Sequence, residues 1–552
     1  MSETMKFNKY TAILLLPALT SCNEWLREDG PMTNRVEDFF TSAETAIQVT
    51  NAAYVPLMWE YQSTYYSEFF FGDVLSDDAL KGGQNISDMA DVYDLENFKA
   101  ITNNSMVLDF YRAQYQGISR ANLALEQIPA MELDETLTKE LRDRLVGEAS
   151  FVRAYYYFRL VRLYGGVPIV KEPIYSSGNW KQPRAKVDDV YTHIVADLKT
   201  AEANLPLKSA YAPEDLGRAT KGAAQAMLMK VYMYWGDYQR NTNGANATEY
   251  YAESKTWGTK FISEQAGEYS LCPNYADNFT LSGENGQESV FEIQYMEDGM
   301  SDYGEGNGFT RGTFTTILTR SRSAAFSSTG WGFNHPTQNL YNEFEAGDPR
   351  RDASILVPTE DQITTPADEI YLGNRNLGVK RAIMNDTFTD YVVLNDSHHS
   401  RSPINYITIR LADVYLMYAE ASLRNNDPAT AKIYLELVRA RARGTEDILP
   451  AFPGYAVPDY KNSYAMYQLT DTPEDLEMAL RHERRVELAM ESHRWFDLCR
   501  WGIVKEVMDA YAKTETAEAQ SHMTPFVAGK HELMPIPQEE VRLGGIDQNP
   551  GY

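Results

Sequence analysis

Chemistry would first be sought where histidines, carboxylates and aromatics fall at short spacing. His482-Glu483-Arg484-Arg485-Val486 comes within one residue of the zinc-protease pattern HExxH, but Val486 stands where the second imidazole must be. One imidazole cannot hold a catalytic zinc, so no metalloprotease is read here. His398 and His399 are adjacent, diverge on either a strand or a helix, and read as surface residues. Asp73, Asp77, Asp78, Asp88, Asp91 and Asp94 offer the hard oxygens that Ca²⁺ prefers, at a spacing that matches no EF-hand loop. In a chain of formal charge −27 they read as a solvated acidic face. Gly304-Glu305-Gly306-Asn307-Gly308 lacks the third glycine and the following helix of a phosphate loop. No nucleophile elbow or Cys/His pair stands out. With 78 acidic residues, a carboxylate pair at glycosidase spacing always exists on paper and carries no signal. The strand–helix alternation of a (β/α)₈ barrel is also missing. No catalytic group, metal or cofactor is assigned.

Aromatics in irregular segments are more telling. Sugars present C–H patches that stack on Trp or Tyr, while their hydroxyls need carboxylate, amide or basic partners. Trp59-Glu60-Tyr61-Gln62-Ser63-Thr64-Tyr65-Tyr66 sets aromatics between polar residues, and Tyr303, Phe326 and Trp331 sit in a second such segment. Each ring taken alone is more simply core packing or a loop anchor. Their clustering in the least regular parts of the chain points to binding. The candidate site is Tyr65, Tyr66, Phe326 and Trp331 as stacking faces, with Asp77 and Lys81 as polar partners.

A third constellation is ionic. Glu483, Glu487 and Glu491 repeat every fourth residue, with Arg484, Arg485 and Arg494 close by. This pattern suits bidentate pairs and reads as a salt-bridge network between packed helices rather than an active site.

Helices must position these groups. Thr41-Ser42-Ala43-Glu44 is a capping-box pattern before an apolar-faced helix. Longer helices are predicted over about 137–164, stopping at Gly165-Gly166, and over 188–205, stopping before Pro206. Another is predicted over Lys221–Trp235, with a turn at Gly236-Asp237-Tyr238, and one over Glu474–Glu491. Residues 410–443 form a helical pair of 34 residues, the tetratricopeptide period, and 223–238 repeats its aromatic helix and polar turn. The stretch 283–332 carries nine glycines and one clear strand, Ser289–Tyr295. It and the segment 59–94 are loop-rich, where binding surfaces sit on a rigid scaffold.

Composition narrows the class. Of 552 residues, 43% are hydrophobic and 12% aromatic, which excludes a disordered chain. An excess of 78 Asp and Glu over 51 Lys and Arg argues against nucleic acid. Three cysteines are too few for a disulfide framework, and Cys272 and Cys499 are either free or joined in one bridge. Lys6 and Lys9, an apolar run to Leu19, and then Thr20-Ser21-Cys22 read as a secretory leader ending in a lipobox, with Cys22 acylated. The true start is Met1 or Met5. Residues 1–21 are then the signal peptide.

Glu483-Arg-Arg-Val-Glu-Leu-Ala-Met-Glu-Ser-His-Arg-Trp-Phe-Asp-Leu-Cys-Arg-Trp-Gly502 closely resembles the signature of the SusD/RagB family of outer-membrane lipoproteins. Arg153–Ile169, Asp348–Asp352, Arg410–Ala421, Val438–Ala442, Leu533–Glu540 and Gln548–Tyr552 are similar to other segments of that family. Ser492-His493 departs from its usual glycine region, and Leu435-Glu436 falls where Asn is common. The resemblance implies a mainly α fold: tetratricopeptide-like pairs in a right-handed superhelical scaffold with a loop-rich ligand lobe. It divides the mature chain into an N-terminal region, 22–280, and a C-terminal region, 281–552, of one body. It implies a non-catalytic, surface-exposed outer-membrane lipoprotein that captures oligosaccharide and delivers it to a SusC-like TonB-dependent transporter. Family ligand residues vary, so the site above rests on loop aromatics alone. Two readings compete with glycan capture: an oligopeptide-capturing RagB-like lid, and a tetratricopeptide-like interaction scaffold.

Overall fold

The computed structural model describes residues 39–175, 180–296, 311–319, 330–357, 378–379, 402–445, 447–515 and 517–552. Helices dominate, and their ends follow from local capping. Helix α1 (Ala43–Tyr54) is opened by Ser42, whose Oγ accepts from the Thr45 amide while Thr45 Oγ1 accepts from the Ser42 amide. The capping box thus lies one residue later than the predicted Thr41/Glu44 pair. Ser42 has the extended backbone an N-cap requires, and Glu44 falls inside the first turn. Helices α2 (Ser105–Gln127), α3 (Lys139–Tyr164) and α5 (Lys221–Asn241) start on Asn104, Thr138 and Thr220, each accepting a backbone N–H. Helix α4 is Val187–Asn204 and α6 is Ala247–Glu264. Helices α7 (Leu411–Arg424), α8 (Pro428–Arg443), α9 (Pro473–Glu487) and α10 (Arg494–Trp501) follow, and a further helix, Val504–Ala512, adds to the core. Proline at the first position of α8 and α9 lacks only an N–H that would be orphaned there.

From α1 to α9 these helices pack largely in chain order, as tetratricopeptide-like pairs. Helix α3 is buried on almost every side from Leu145 onward and forms the axis of the main core, which draws residues from Ala53 to Ile546. It stops at Gly165 with φ +73°, as its glycine predicted.

Three predicted boundaries move. Helix α5 runs through Gly236-Asp237-Tyr238, because Gly236 serves a close approach rather than a turn: a Cβ there would lie 2.7 Å from the Tyr251 ring of α6. The strand β2 (Ser289–Ile293) ends before Tyr295, whose amide donates to the Asn405 side chain. Helix α9 ends at Glu487, and Met490 and Ser492 follow with φ of +60° and +64°. That left-handed turn lets the chain pass Gly72, where a Cβ would sit 2.3 Å from the Ser492 carbonyl oxygen. A glycine would hold Ser492's conformation without strain, which explains why the family resemblance carries one there.

Among the described residues, four two-stranded antiparallel sheets stitch the loops to the helices. Strand β1 (Ala79–Gly82) pairs with β3 (Phe333–Pro336), and β2 with β4 (Tyr406–Arg410), with Ser289 opposite Arg410. The other two join Ile355–Leu356 to Gly378–Val379 and Ala456–Asp459 to Ala465–Gln468.

The arginine–glutamate pattern is a buried network between these elements. Arg350 bonds Asp348, Glu483 and Glu487, and Arg410 bonds Glu288, Glu487 and Glu491. Arg500 bonds Asp237, Glu420 and Asp497. His482 sits between Glu343 at 2.8 Å and Glu345 at 3.5 Å, an ionic contact rather than a metal ligand set. Among the described residues no group of His, Cys, Asp or Glu is placed to hold a metal, and no helix is long and apolar enough to cross a membrane. Cys272 and Cys499 are free thiols. The expected solvated acidic face is partly internal: Asp73, Asp77 and Asp78 are buried.

Candidate functional site: an aromatic platform on a pinned loop

Residues 59–66 fold back on themselves as a tight turn. The Gln62 amide donates to Thr64 O, the Tyr66 amide donates to Glu60 O at 2.8 Å, and Tyr61 bridges Tyr65. Two carboxylates pin this turn. From α2, Asp109 accepts from the Ser63 amide (2.9 Å), the Ser63 hydroxyl (2.6 Å) and the Thr64 amide (3.0 Å). From within the turn, Glu60 reaches across the fold and accepts from the Phe314 amide (2.6 Å) and from the hydroxyls of Thr313, Thr315 and Tyr295. Burial of Glu60 pushes its pKa up, against the pull of these donors.

The pins set four aromatic side chains against each other. Tyr65 meets Tyr61 at 4.8 Å, Phe314 at 5.1 Å and Trp331 at 5.4 Å between ring centroids, the last edge to face. The Trp331 amide donates to Ile317 O, which ties the indole to the short helix Thr315–Thr319. Tyr65 is 9% exposed, while Tyr61 and Trp331 are half-buried. The outcome is a small apolar platform with fixed ring orientation. Beside it Trp59 lies under the Arg120 guanidinium at 5.0 Å.

Of the predicted site residues, Tyr65 and Trp331 are brought together here. Tyr66 turns inward, 2% exposed, and Phe326 lies outside the described residues. Asp77 and Lys81 are placed elsewhere than expected, as parts of the scaffold. The Asp77 carboxylate is fully buried and bonded by Arg494 (2.8 Å) and Arg485 (2.9 Å); burial alone would raise its pKa, but these cations lower it to about 2. Lys81 is equally buried, and its ammonium donates to Gly82 O and Asn85 O. Burial lowers its pKa to about 8, with Glu96 opposing. Charges committed to internal partners are poor groups to offer a ligand.

Glu60, Asp109 and Phe314 are not among the expected site residues, and neither is Tyr61, although it lies in the aromatic run 59–66. Tyr61 and Tyr65 flank the same turn, a spacing that could have selected Tyr61. Phe314 stands among threonines in a glycine-rich segment, with no local sign that it meets residue 65.

The helix Thr315–Thr319 also lines a pocket of about 1090 Å³, counting solvent at its mouth, whose walls include Thr280, Glu284 and Asn405 together with the buried Phe69 and Phe110. Tyr66 and Glu60 also line it, so loop 59–66 separates pocket from platform.

Residues 287–552 match the model described as the SusD family, and residues 24–233 match one described as starch-binding associating with outer membrane. SusD-like protein P25 of Formosa agariphila is 25% identical over 571 residues, covering 97% of this chain and 96% of the relative. Starch-binding protein SusD of Bacteroides thetaiotaomicron is 25% identical over 477 residues, 79% of this chain and 76% of the relative. Among solved structures, a laminarin binding SusD-like protein superposes with a TM-score of 0.73 at 28% identity, covering 93% of this chain and all of that one. Surface glycan-binding protein A from Bacteroides thetaiotaomicron, in complex with laminarihexaose, superposes equally well at 0.73; at 21% identity, over 92% and 99% of the two chains, it speaks for the fold alone.

Proposed function

The chain belongs to the SusD family, and we propose that it is a non-catalytic glycan-binding lipoprotein of the outer-membrane surface. It captures oligosaccharide or polysaccharide on the Tyr61–Tyr65–Phe314–Trp331 platform and delivers it to a SusC-like TonB-dependent transporter. The observation that carries this reading is the platform itself: two half-buried rings, Tyr61 and Trp331, backed by the buried Tyr65 and Phe314 and fixed by buried carboxylates, on loops of a rigid helical body. Sugar C–H faces stack on such rings without needing a charge from the protein. A preset platform also loses little conformational freedom on binding. Relatives named for laminarin and starch binding support a glycan over a peptide. Thr20-Ser21-Cys22 after an apolar run supports anchorage through acylated Cys22, and the family description supports the outer membrane.

Two experiments test the proposal. Soluble protein lacking residues 1–22 is run through native gels cast with laminarin, starch and other polysaccharides, beside a titration with peptide digests. Retardation by a polysaccharide supports the reading; binding of peptides alone overturns it. In cells, radiolabelled palmitate should label the protein but not Cys22→Ala, and a TonB-dependent barrel should copurify with it. Equal labelling of both forms removes the anchor, and absence of the barrel removes the delivery step.

A further inference from the structure

We propose that the pocket behind the platform holds one uncharged sugar ring, so that bound glycan is gripped at a single unit inside the protein; this rests on the glycan-binding reading above. Four side chains lining the pocket, Tyr66, Ser67, Thr316 and Asn334, each carry a buried polar atom with no hydrogen-bond partner: three hydroxyls and one amide oxygen. Tyr66, Thr316 and Asn334 are at most 2% exposed and Ser67 is 4% exposed. Buried polar atoms are nearly always paired, and four unpaired ones around a single cavity point to something that pairs them there.

The surroundings select its chemistry. Most charges at the pocket are already matched inside the protein, while Glu284 and Glu292 accept from the amides of Asn405 and Asn285 rather than forming an ion pair. Glu68 takes Arg159 at 2.6 Å and Arg162 at 3.1 Å, and Glu491 takes Arg410 at 2.9 Å. Arg159 also donates to Gln114, and Glu60 is held by its threonine and amide donors. An anion would therefore have to break an internal pair and would also face the carboxylates of Glu284 and Glu292. The walls include Phe69, Phe110 and Phe279, flat apolar faces suited to ring C–H groups. A purely hydrocarbon ligand would leave the hydroxyls and the Asn334 oxygen unpaired. A sugar ring offers C–H faces to the walls and hydroxyls that both donate and accept. The same chemistry is presented by the end of a long glycan and by a free monosaccharide.

The test uses Tyr66→Phe/Ser67→Ala/Thr316→Val, which removes the three unpaired hydroxyls and keeps the wall shape. Tyr66→Phe alone keeps the test readable should the triple variant not fold. Wild-type and variant proteins are titrated calorimetrically with laminarihexaose and with glucose, galactose, mannose and xylose. The triple variant should melt no lower than wild type and should bind at least tenfold more weakly. A loss confined to the hexaose identifies a chain end as occupant, and a loss confined to a monosaccharide identifies a free sugar. Affinities unchanged in both arms overturn the pocket proposal, and so does a wild-type crystal soaked in the hexaose that shows only water in the pocket. If polysaccharide binding meanwhile disappears in Trp331→Ala, the pocket fails and the glycan reading stands. If wild type binds no saccharide in any arm, both fail.

Discussion

Removing the Glu60 carboxylate should release the binding loop without unfolding the helices. The side chain accepts from one backbone amide, Phe314, and from the hydroxyls of Thr313, Thr315 and Tyr295. In Glu60→Ala the hydroxyls can rotate toward other acceptors, but the Phe314 N–H has a fixed direction. Leaving such a donor buried and unpaired costs about 1–3 kcal/mol, and three re-aimed hydroxyls add a smaller share. Loss of a buried charge, whose pKa burial already raises, offsets part of this. The net local cost is about 1–3 kcal/mol, or roughly a 5- to 150-fold fall in protection. Glu60→Gln keeps an oxygen for Phe314 and removes the charge, so it should stay within about 1 kcal/mol of wild type. Hydrogen–deuterium exchange read by mass spectrometry resolves this, with peptides spanning 59–66 and 311–319 compared with peptides of α3. In the Ala variant both loop peptides should exchange faster while α3 is unchanged, and glycan affinity should fall. Unchanged loop protection in Glu60→Ala would refute the pinning argument. Equal losses in Ala and Gln would show that the charge, not the acceptor geometry, does the holding.

Other consequences concern the scaffold. Burial disfavours the charged form of His482, but hydrogen bonds and charge from Glu343 and Glu345 outweigh it and raise the pKa from 6.5 to about 9. A raised histidine stabilises fully below its unfolded pKa and loses that contribution as pH rises through the folded value. The melting temperature should therefore fall between about pH 6.5 and pH 9 by an amount worth up to about 3 kcal/mol. His482→Gln should flatten that slope in a thermal-shift series; an unchanged slope assigns it to other groups. Arg410→Ala leaves Glu288, Glu487 and Glu491 each short of a cation and should cost about 3–5 kcal/mol in urea unfolding. Arg410→Lys should recover only part, because an ammonium cannot reproduce the fork that meets them. A loss under about 1 kcal/mol for Arg410→Ala would mean that Arg350 and Arg441 already neutralise the cluster.

The helical body was legible because its signals are local. Thr138 and Gly165 bracket α3, and Asp427-Pro428 opens α8 within the predicted 34-residue pair. Errors fell where a residue type answers to something distant in sequence. Gly236 looked like a turn because only the fold reveals Tyr251 beside it. Asp77 looked like a ligand group because Arg485 and Arg494, over 400 residues away, are invisible at short range. Glu60 is the same case in reverse: an unremarked acid between aromatics, whose partners at 295 and 313–315 make it the pin of the site. The aromatic content could be placed in loops, but which rings would touch depended on that pin.

Glycan capture by this protein rests on the aromatic platform. Isothermal titration of the protein lacking residues 1–22 with a polysaccharide that retards it measures the platform directly, by comparing wild type with Tyr61→Ala/Trp331→Ala. Each ring is worth about 0.5–1.5 kcal/mol, so the double variant should bind roughly 5- to 150-fold more weakly when titrated well below its melting temperature, which the loss of two half-buried rings lowers. Equal affinity in wild type and the double variant would contradict the account.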